Sequence, residues 1–175
     1  VNYLEAETNK VLAPVKEVTG KIFKEEITAS EEIIDIDGYN FDTLTPNTLT
    51  IGTGENVINI YYTKRNDLSY IINFLEKDTN EILSEPVVVR NQVFGAIVSS
   101  TGKAIVIDGY NYDSADKRTI TIGTNEEENV FNLYYTKQMD LKYKVNYIER
   151  ETDKVLSEQK VVSNRTFGEV IVSET

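Results

Sequence analysis

Asp35-Ile36-Asp37-Gly38-Tyr39-Asn40-Phe41-Asp42 spaces oxygen-bearing side chains around a glycine, the pattern by which a loop can wrap a hard cation such as calcium. The chain itself weighs against that chemistry. The same stretch returns as Val106-Ile107-Asp108-Gly109-Tyr110-Asn111-Tyr112-Asp113, where Asp35 has become Val106, and the bidentate glutamate of an EF-hand is missing from its required spacing. The expectation is therefore two strands, with Ile34, Ile36, Tyr39 and Phe41 flanking a glycine turn. Glu126-Glu127-Glu128 could gather a cation, but a run of like charges normally forms a solvated loop. Thr48 and Thr50, like Thr119 and Thr121, fall on one side of a strand, with Leu49, Ile51, Ile120 and Ile122 on the other. Such a threonine row can bind water or sugar, yet threonine is also a good strand former. Eleven tyrosines are available to stack on sugar rings; alternation turns Tyr61 and Tyr134 outward and Tyr62 and Tyr135 inward. Nucleophilic catalysis has no base, because histidine is absent, and Asp108 and Asp113 lie in turns. No phosphate-binding glycine loop occurs. No catalytic, cofactor or metal residue is expected, and no ligand-binding residue is singled out.

The elements that would position these residues come in copies. Gly38-Tyr39 returns at Gly109-Tyr110, Ile51-Gly52 at Ile122-Gly123, and Tyr61-Tyr62-Thr63-Lys64 at Tyr134-Tyr135-Thr136-Lys137. Phe94-Gly95 returns at Phe167-Gly168, and Val1-Asn2-Tyr3 at Val145-Asn146-Tyr147. A fixed period marks one supersecondary unit copied in tandem. Three repeats follow: residues 1–66, with its first strand clipped; residues 67–139, complete; and residues 140–175, a first half only.

Composition narrows the partners. A net charge of −11 disfavours nucleic acid and anionic membrane, whose phosphates need clustered Lys and Arg. Cysteine is absent, so disulfides and zinc–thiolate sites are absent with it. No apolar run approaches the roughly 18 residues of a membrane span, and no segment of the sequence is expected to be a signal peptide.

Within the complete repeat, Leu68, Tyr70, Ile72 and Phe74 alternate as on a strand. Lys77-Asp78-Thr79-Asn80-Glu81 supplies a turn, and a second strand runs through Ile82, Leu83 and Val87-Val88-Val89. Pro86 marks that strand as an edge or a bulge. Phe94 to Val98 predicts a turn into a short helix, more strongly so at residues 23–32 of repeat 1. Ile105 and Ile107 predict a further strand. Residues 118–123 and 129–135 predict two more, the last with Phe131, Leu133 and Tyr135 inward. The fold class expected is α+β, a mostly antiparallel sheet covered on one face by a short helix.

The ordered set resembles the mucin-binding-protein (MucBP) repeat of Gram-positive surface proteins. The residues carrying the likeness are Tyr143-x-Val145-x-Tyr147, Thr152-x-x-Val155-Leu156, Phe167-Gly168-x-Val170, Gly109-Tyr110 and Asn129-Val130-x-x-x-Tyr134-Tyr135-Thr136. The resemblance implies tandem β-grasp, ubiquitin-like domains with a helix in each. It implies an extracellular location on the bacterial cell wall and no enzymatic activity. The function it implies is an elongated adhesion stalk whose partners are neighbouring repeats, or alternatively an adhesin binding host mucin or other glycans. Repeat 1 departs from the pattern with Lys24 where the others have Gly95 and Gly168, so its corner is not expected to use a left-handed glycine. Repeat 1 is expected to fold nearly whole. Repeat 3 is expected to be ordered over residues 143–172 with an exposed strand edge; its stop at Thr175 suggests a piece of a longer chain.

Overall fold

The computed structural model describes residues 1–172; residues 173–175, including Thr175, lie outside the described residues. Repeat 1 contributes β1 (Asn2–Glu5), β2 (Val11–Ala13), β3 (Glu26–Thr28), β4 (Tyr39–Thr45), β5 (Thr48–Thr50) and β6 (Asn59–Lys64). Repeat 2 contributes β7 (Leu68–Glu76), β8 (Ile82–Gln92), β9 (Ile97–Ser99), β10 (Tyr110–Ala115), β11 (Thr119–Thr121) and β12 (Val130–Lys137). Repeat 3 contributes β13 (Leu141–Ile148) and β14 (Val155–Arg165). One four-residue 3-10 turn, Ala29–Glu32, is the sole helical element among the described residues.

The α+β expectation of a helix-bearing β-grasp repeat is thus overturned: 49% of the chain is strand and 2% helical. The reason lies in the residues assigned to the helix. Ile97-Val98-Ser99 and Glu26-Ile27-Thr28 are rich in β-branched side chains. Each run pairs instead with a Thr-x-Thr strand, β9 with β11 and β3 with β5, with Ile27 opposite Leu49. A left-handed residue, Gly95 (φ +77°) or Lys24 (φ +65°), breaks any right-handed turn just before. Repeat 1 makes the same left-handed corner with Lys24 in place of glycine. Its N–H donates to Ile51 O at 2.8 Å, as Gly95 N–H donates to Ile122 O at 2.8 Å. Ile105 and Ile107 are not in a strand either; the segment between β9 and β10 is irregular.

Packing groups the chain into two compact units that cut across the repeats. The first comprises Val1–Tyr70, Val88–Val98 and Thr119–Val130. Its four-stranded sheet runs β2-β1-β6-β4, with β1 and β6 parallel in the middle and antiparallel strands on either side. Tyr3, Ile58, Ile60, Tyr62 and Ala29 form its buried core, each 3% exposed or less. The second unit comprises Ile71–Val87, Ser99–Arg118 and the chain from Phe131 onward. Its sheet is ordered β10-β12-β7-β8, and Ile72, Phe74, Phe131, Leu133 and Tyr135 are buried. The alternation of β12 holds: Phe131, Leu133 and Tyr135 face inward while Val130, Asn132 and Tyr134 are half-exposed. Pro86 lies in β8, the edge strand of this sheet, where its missing donor is tolerated. Asn9, Asn80 and Asp153 hold positive φ in the three equivalent turns, as Asn and Asp side chains permit. In repeat 3, β13 and β14 form a two-stranded antiparallel hairpin, with Ile148, Val155, Leu156 and Val161 exposed.

Candidate functional site

The constellation that recurs with the same geometry is a joint, in which the Phe-Gly corner of one repeat meets the Gly-Tyr turn of the repeat before it. Each joint lies wholly within one compact unit. In the first, Gly38 is buried at φ +78°, and a Cβ built there would fall 2.4 Å from three Phe94 ring carbons. The Phe94 ring therefore occupies the space that any side chain at position 38 would need. Tyr39 closes the socket edge-on, its ring 5.7 Å from Phe94 at 66°. In the second joint Gly109 has φ +77° and its Cβ would fall 2.3 Å from the Phe167 ring; Tyr110 lies 5.7 Å from Phe167 at 64°. Edge-to-face aromatic pairs of this kind contribute about 0.5–1.5 kcal/mol beyond area burial.

A single linker residue ties socket to plug through its backbone. Arg65 N–H donates to Gly38 O at 2.9 Å, and Arg65 O accepts from Phe94 N–H at 2.8 Å. Gln138 repeats the arrangement, donating to Gly109 O at 2.9 Å and accepting from Phe167 N–H at 2.9 Å. Because the bonds use only main-chain atoms, Arg and Gln serve equally at this position. Only three residues separate β6 from β7 and β12 from β13, so one pinned residue removes much of the linker's freedom. Arg65 also makes a two-pronged ion pair with Asp67 (2.9 and 3.0 Å), which holds the Asp67 carboxyl below the usual range.

The calcium-like loop proves to be part of the first socket. Asp37 Oδ1 accepts from Thr124 Oγ1 at 2.7 Å, tying the loop after β11 to the Gly38 turn. Asp35 is exposed, and no group of three or more metal-ligating side chains occurs among the described residues. Asp113 takes Lys77 Nζ at 2.6 Å and Ser114 Oγ at 2.7 Å, and the Lys77 bond chiefly lowers its carboxyl from the ordinary value; Asp108 is exposed. Glu126 accepts from Ser69 Oγ at 3.1 Å and Glu128 from Asn125 Nδ2 at 2.9 Å, so two of the three glutamates are engaged by side chains of the same chain. Thr48, Thr50, Thr119 and Thr121 are exposed on short paired strands.

The inward tyrosines have a structural task. Tyr62 Oη donates to Ile34 O at 2.9 Å and accepts from Ile34 N–H at 3.2 Å. Tyr135 Oη does the same with Ile105, at 3.1 and 3.0 Å. Burial pushes the Tyr135 hydroxyl's pKa up, so it remains a neutral donor. Tyr61 and Tyr134 are half-exposed, whereas Phe41 and Tyr112, at matching positions in β4 and β10, are the more exposed aromatics.

A carboxylate cluster stands beside each socket. Glu76 is 5% exposed and accepts from Thr79 Oγ1 and from Lys137 Nζ at 3.0 Å. Glu5 is 8% exposed and accepts from Thr8 Oγ1, from Tyr39 Oη at 3.3 Å and from Lys64 Nζ at 3.5 Å. Both carboxyls are held below the usual glutamate value near 4.5, first by the threonine hydroxyl and then by the lysine. A depressed folded pKa stabilises above the unfolded value and loses that contribution as pH falls through the folded one. The urea midpoint of the wild-type chain should thus fall on acidification below about pH 4.5, with Glu25, Asp67 and Asp113 acting in the same direction. Glu76→Gln should show a shallower fall; an unchanged pH profile would remove Glu76 from this account.

The joint was not foreseen from the sequence, which offered its two halves as separate motifs. The available signal was their nearly equal separation, Gly38 to Phe94 and Gly109 to Phe167, 56 and 58 positions. No profile of a known protein family matches this chain, and no curated protein matches it either.

Proposed function

We propose that this chain is a non-enzymatic run of repeats from a Gram-positive cell-surface protein of the mucin-binding-repeat type, serving outside the cell as an elongated spacer in adhesion. The observation that carries this reading is the twice-built joint, in which a buried left-handed glycine, an aromatic plug and a backbone-pinned linker leave adjoining repeats little freedom. The socket and the plug are different surfaces, so the contact is head-to-tail and can propagate without closing. Arrays whose repeats touch only their neighbours behave as quasi-one-dimensional rods. Nothing in the joint requires a ligand, metal or nucleophile. Small-angle scattering tests the spacer role: the radius of gyration should lie well above the roughly 16 Å of a compact chain of this length. A value near that figure would overturn it.

A second reading, direct binding of mucin or other glycans by each repeat, draws support from Phe41 and Tyr112. They are 45% and 48% exposed at equivalent positions and could each offer a face to a sugar ring. Weak sites of this kind would gain by avidity. The chain clustered on beads should then bind a glycan array, and Phe41→Ala with Tyr112→Ala should abolish binding; silence of the clustered wild type would remove the reading.

A further inference from the structure

Of the three Phe corners, two are seated and one is not. Phe94 and Phe167 are half-buried against Gly38 and Gly109, whereas Phe23 is 62% exposed and its neighbour Ile22 71% exposed. The corner that carries Phe23 is nevertheless built as the seated one is. Lys24 holds φ +65° against +77° at Gly95, Lys24 N–H donates to Ile51 O at 2.8 Å, and Ile51 N–H returns to Glu25 O at 2.8 Å. Side-chain bonds from Lys21 Nζ (2.8 Å) and Ile22 N–H (2.9 Å) to Glu25 further brace it. An exposed phenylalanine on a braced, left-handed corner is a costly arrangement unless it is covered in use. The two joints within the chain state the chemistry of the cover: a left-handed glycine followed by tyrosine.

We propose that Phe23 is the plug of a third joint, and that its socket is the Gly-Tyr turn of another repeat of this type lying immediately before residue 1 in the same polypeptide. A second copy of the chain is a poorer occupant, because its Gly38 and Gly109 sockets already hold Phe94 and Phe167. In-line placement also follows from the two existing joints. In each, socket precedes plug along one polypeptide, and the linker residue between them bonds to both. Lys24 in place of glycine leaves the plug face untouched, since a Cβ at the equivalent Gly95 and Gly168 meets nothing within 4 Å.

The proposal rests on the head-to-tail stacking above, but its test is separate from the scattering test, so that either can fail alone. Residues 1–71 are duplicated directly ahead of Val1, which sets the copied Gly38 and Phe23 56 positions apart, as Gly38 and Phe94 are in the natural chain. A glycine beneath an aromatic ring has its α-proton resonances displaced upfield. The natural chain should show two such glycines, one lost in Phe94→Ala and the other in Phe167→Ala. The extended chain should show a third, lost in Phe23→Ala. In the natural chain Phe23→Ala should leave the urea midpoint unchanged, while in the extended chain it should lower the midpoint as Phe94→Ala does. Absence of the third displaced glycine, its persistence in Phe23→Ala, or loss of the dispersed spectrum on extension would each overturn the assignment.

Discussion

Gly38→Ala should destabilise the chain by roughly 2–5 kcal/mol, a left-handed alanine costing about 1–2 and overpacking against a ring about 1–3. The added methyl would fall 2.4 Å from three carbons of the Phe94 ring, too close for a small adjustment. Relief requires the ring to leave, and with it go the Tyr39 edge contact and the register of Phe94 N–H on Arg65 O. Gly95→Ala is the control. Gly95 has nearly the same φ, +77°, with open space around its absent side chain, and repeat 1 already carries Lys24 at that position. The control should cost about 1–2 kcal/mol, the backbone component alone. Urea denaturation of the two variants isolates the ring contact as their difference. Equal losses would mean that the socket is not filled by Phe94 and would remove the joint as described. Where the difference is found, Gly38→Ala should also raise the radius-of-gyration distribution toward that of flexibly linked repeats.

What the sequence could disclose divides along the range of the interactions. Period-2 alternation is a local consequence of a pleated strand with one buried face, so Phe131, Leu133 and Tyr135 were legible as core and Thr119 and Thr121 as exposed. Turn chemistry is local too, and Asn80 behaves as its type suggests. The helix was misread because the decisive partner is remote. Ile27 lies opposite Leu49, and that pairing, not the propensity of Lys24-Glu25-Glu26, fixes the segment as strand. The joint was illegible for the same reason: Gly38 and Phe94 are adjacent in space but each looks, in sequence, like an ordinary turn residue. The candidate ligand groups went the other way. Asp37, Asp113 and Glu126 have suggestive types, yet each carboxylate accepts a hydrogen bond from a side chain of the same chain.

Tyr135→Phe should lower stability by roughly 1–3 kcal/mol, the range for leaving buried polar groups without a partner. The cause lies in the irregular segment around Ile105, where a strand was expected and none forms. A helix would satisfy its own backbone N–H and C=O groups, but the irregular segment between β9 and β10 cannot, and such groups must find partners elsewhere. Tyr135 supplies both at one residue, its hydroxyl donating to Ile105 O and accepting from Ile105 N–H. The ring holds the hydroxyl in place through an edge contact to Tyr112 at 5.7 Å and a tilted contact to Phe74 at 6.4 Å, which phenylalanine would keep. The variant thus deletes two hydrogen bonds without opening a cavity. Tyr135→Ala adds the lost packing and should cost about 3–5 kcal/mol, as for other buried aromatics. Amide exchange gives the sharper test, because the Ile105 N–H should lose protection in Tyr135→Phe while the Ile122 N–H, bonded to Ala96 O at 2.9 Å, keeps it. Tyr62→Phe should act in the same way on Ile34 in repeat 1. If Ile105 exchanges at the wild-type rate in Tyr135→Phe, the tyrosine does not pin the segment between β9 and β10, and the recurrence of Tyr-Tyr-Thr at the end of repeats 1 and 2 needs another cause.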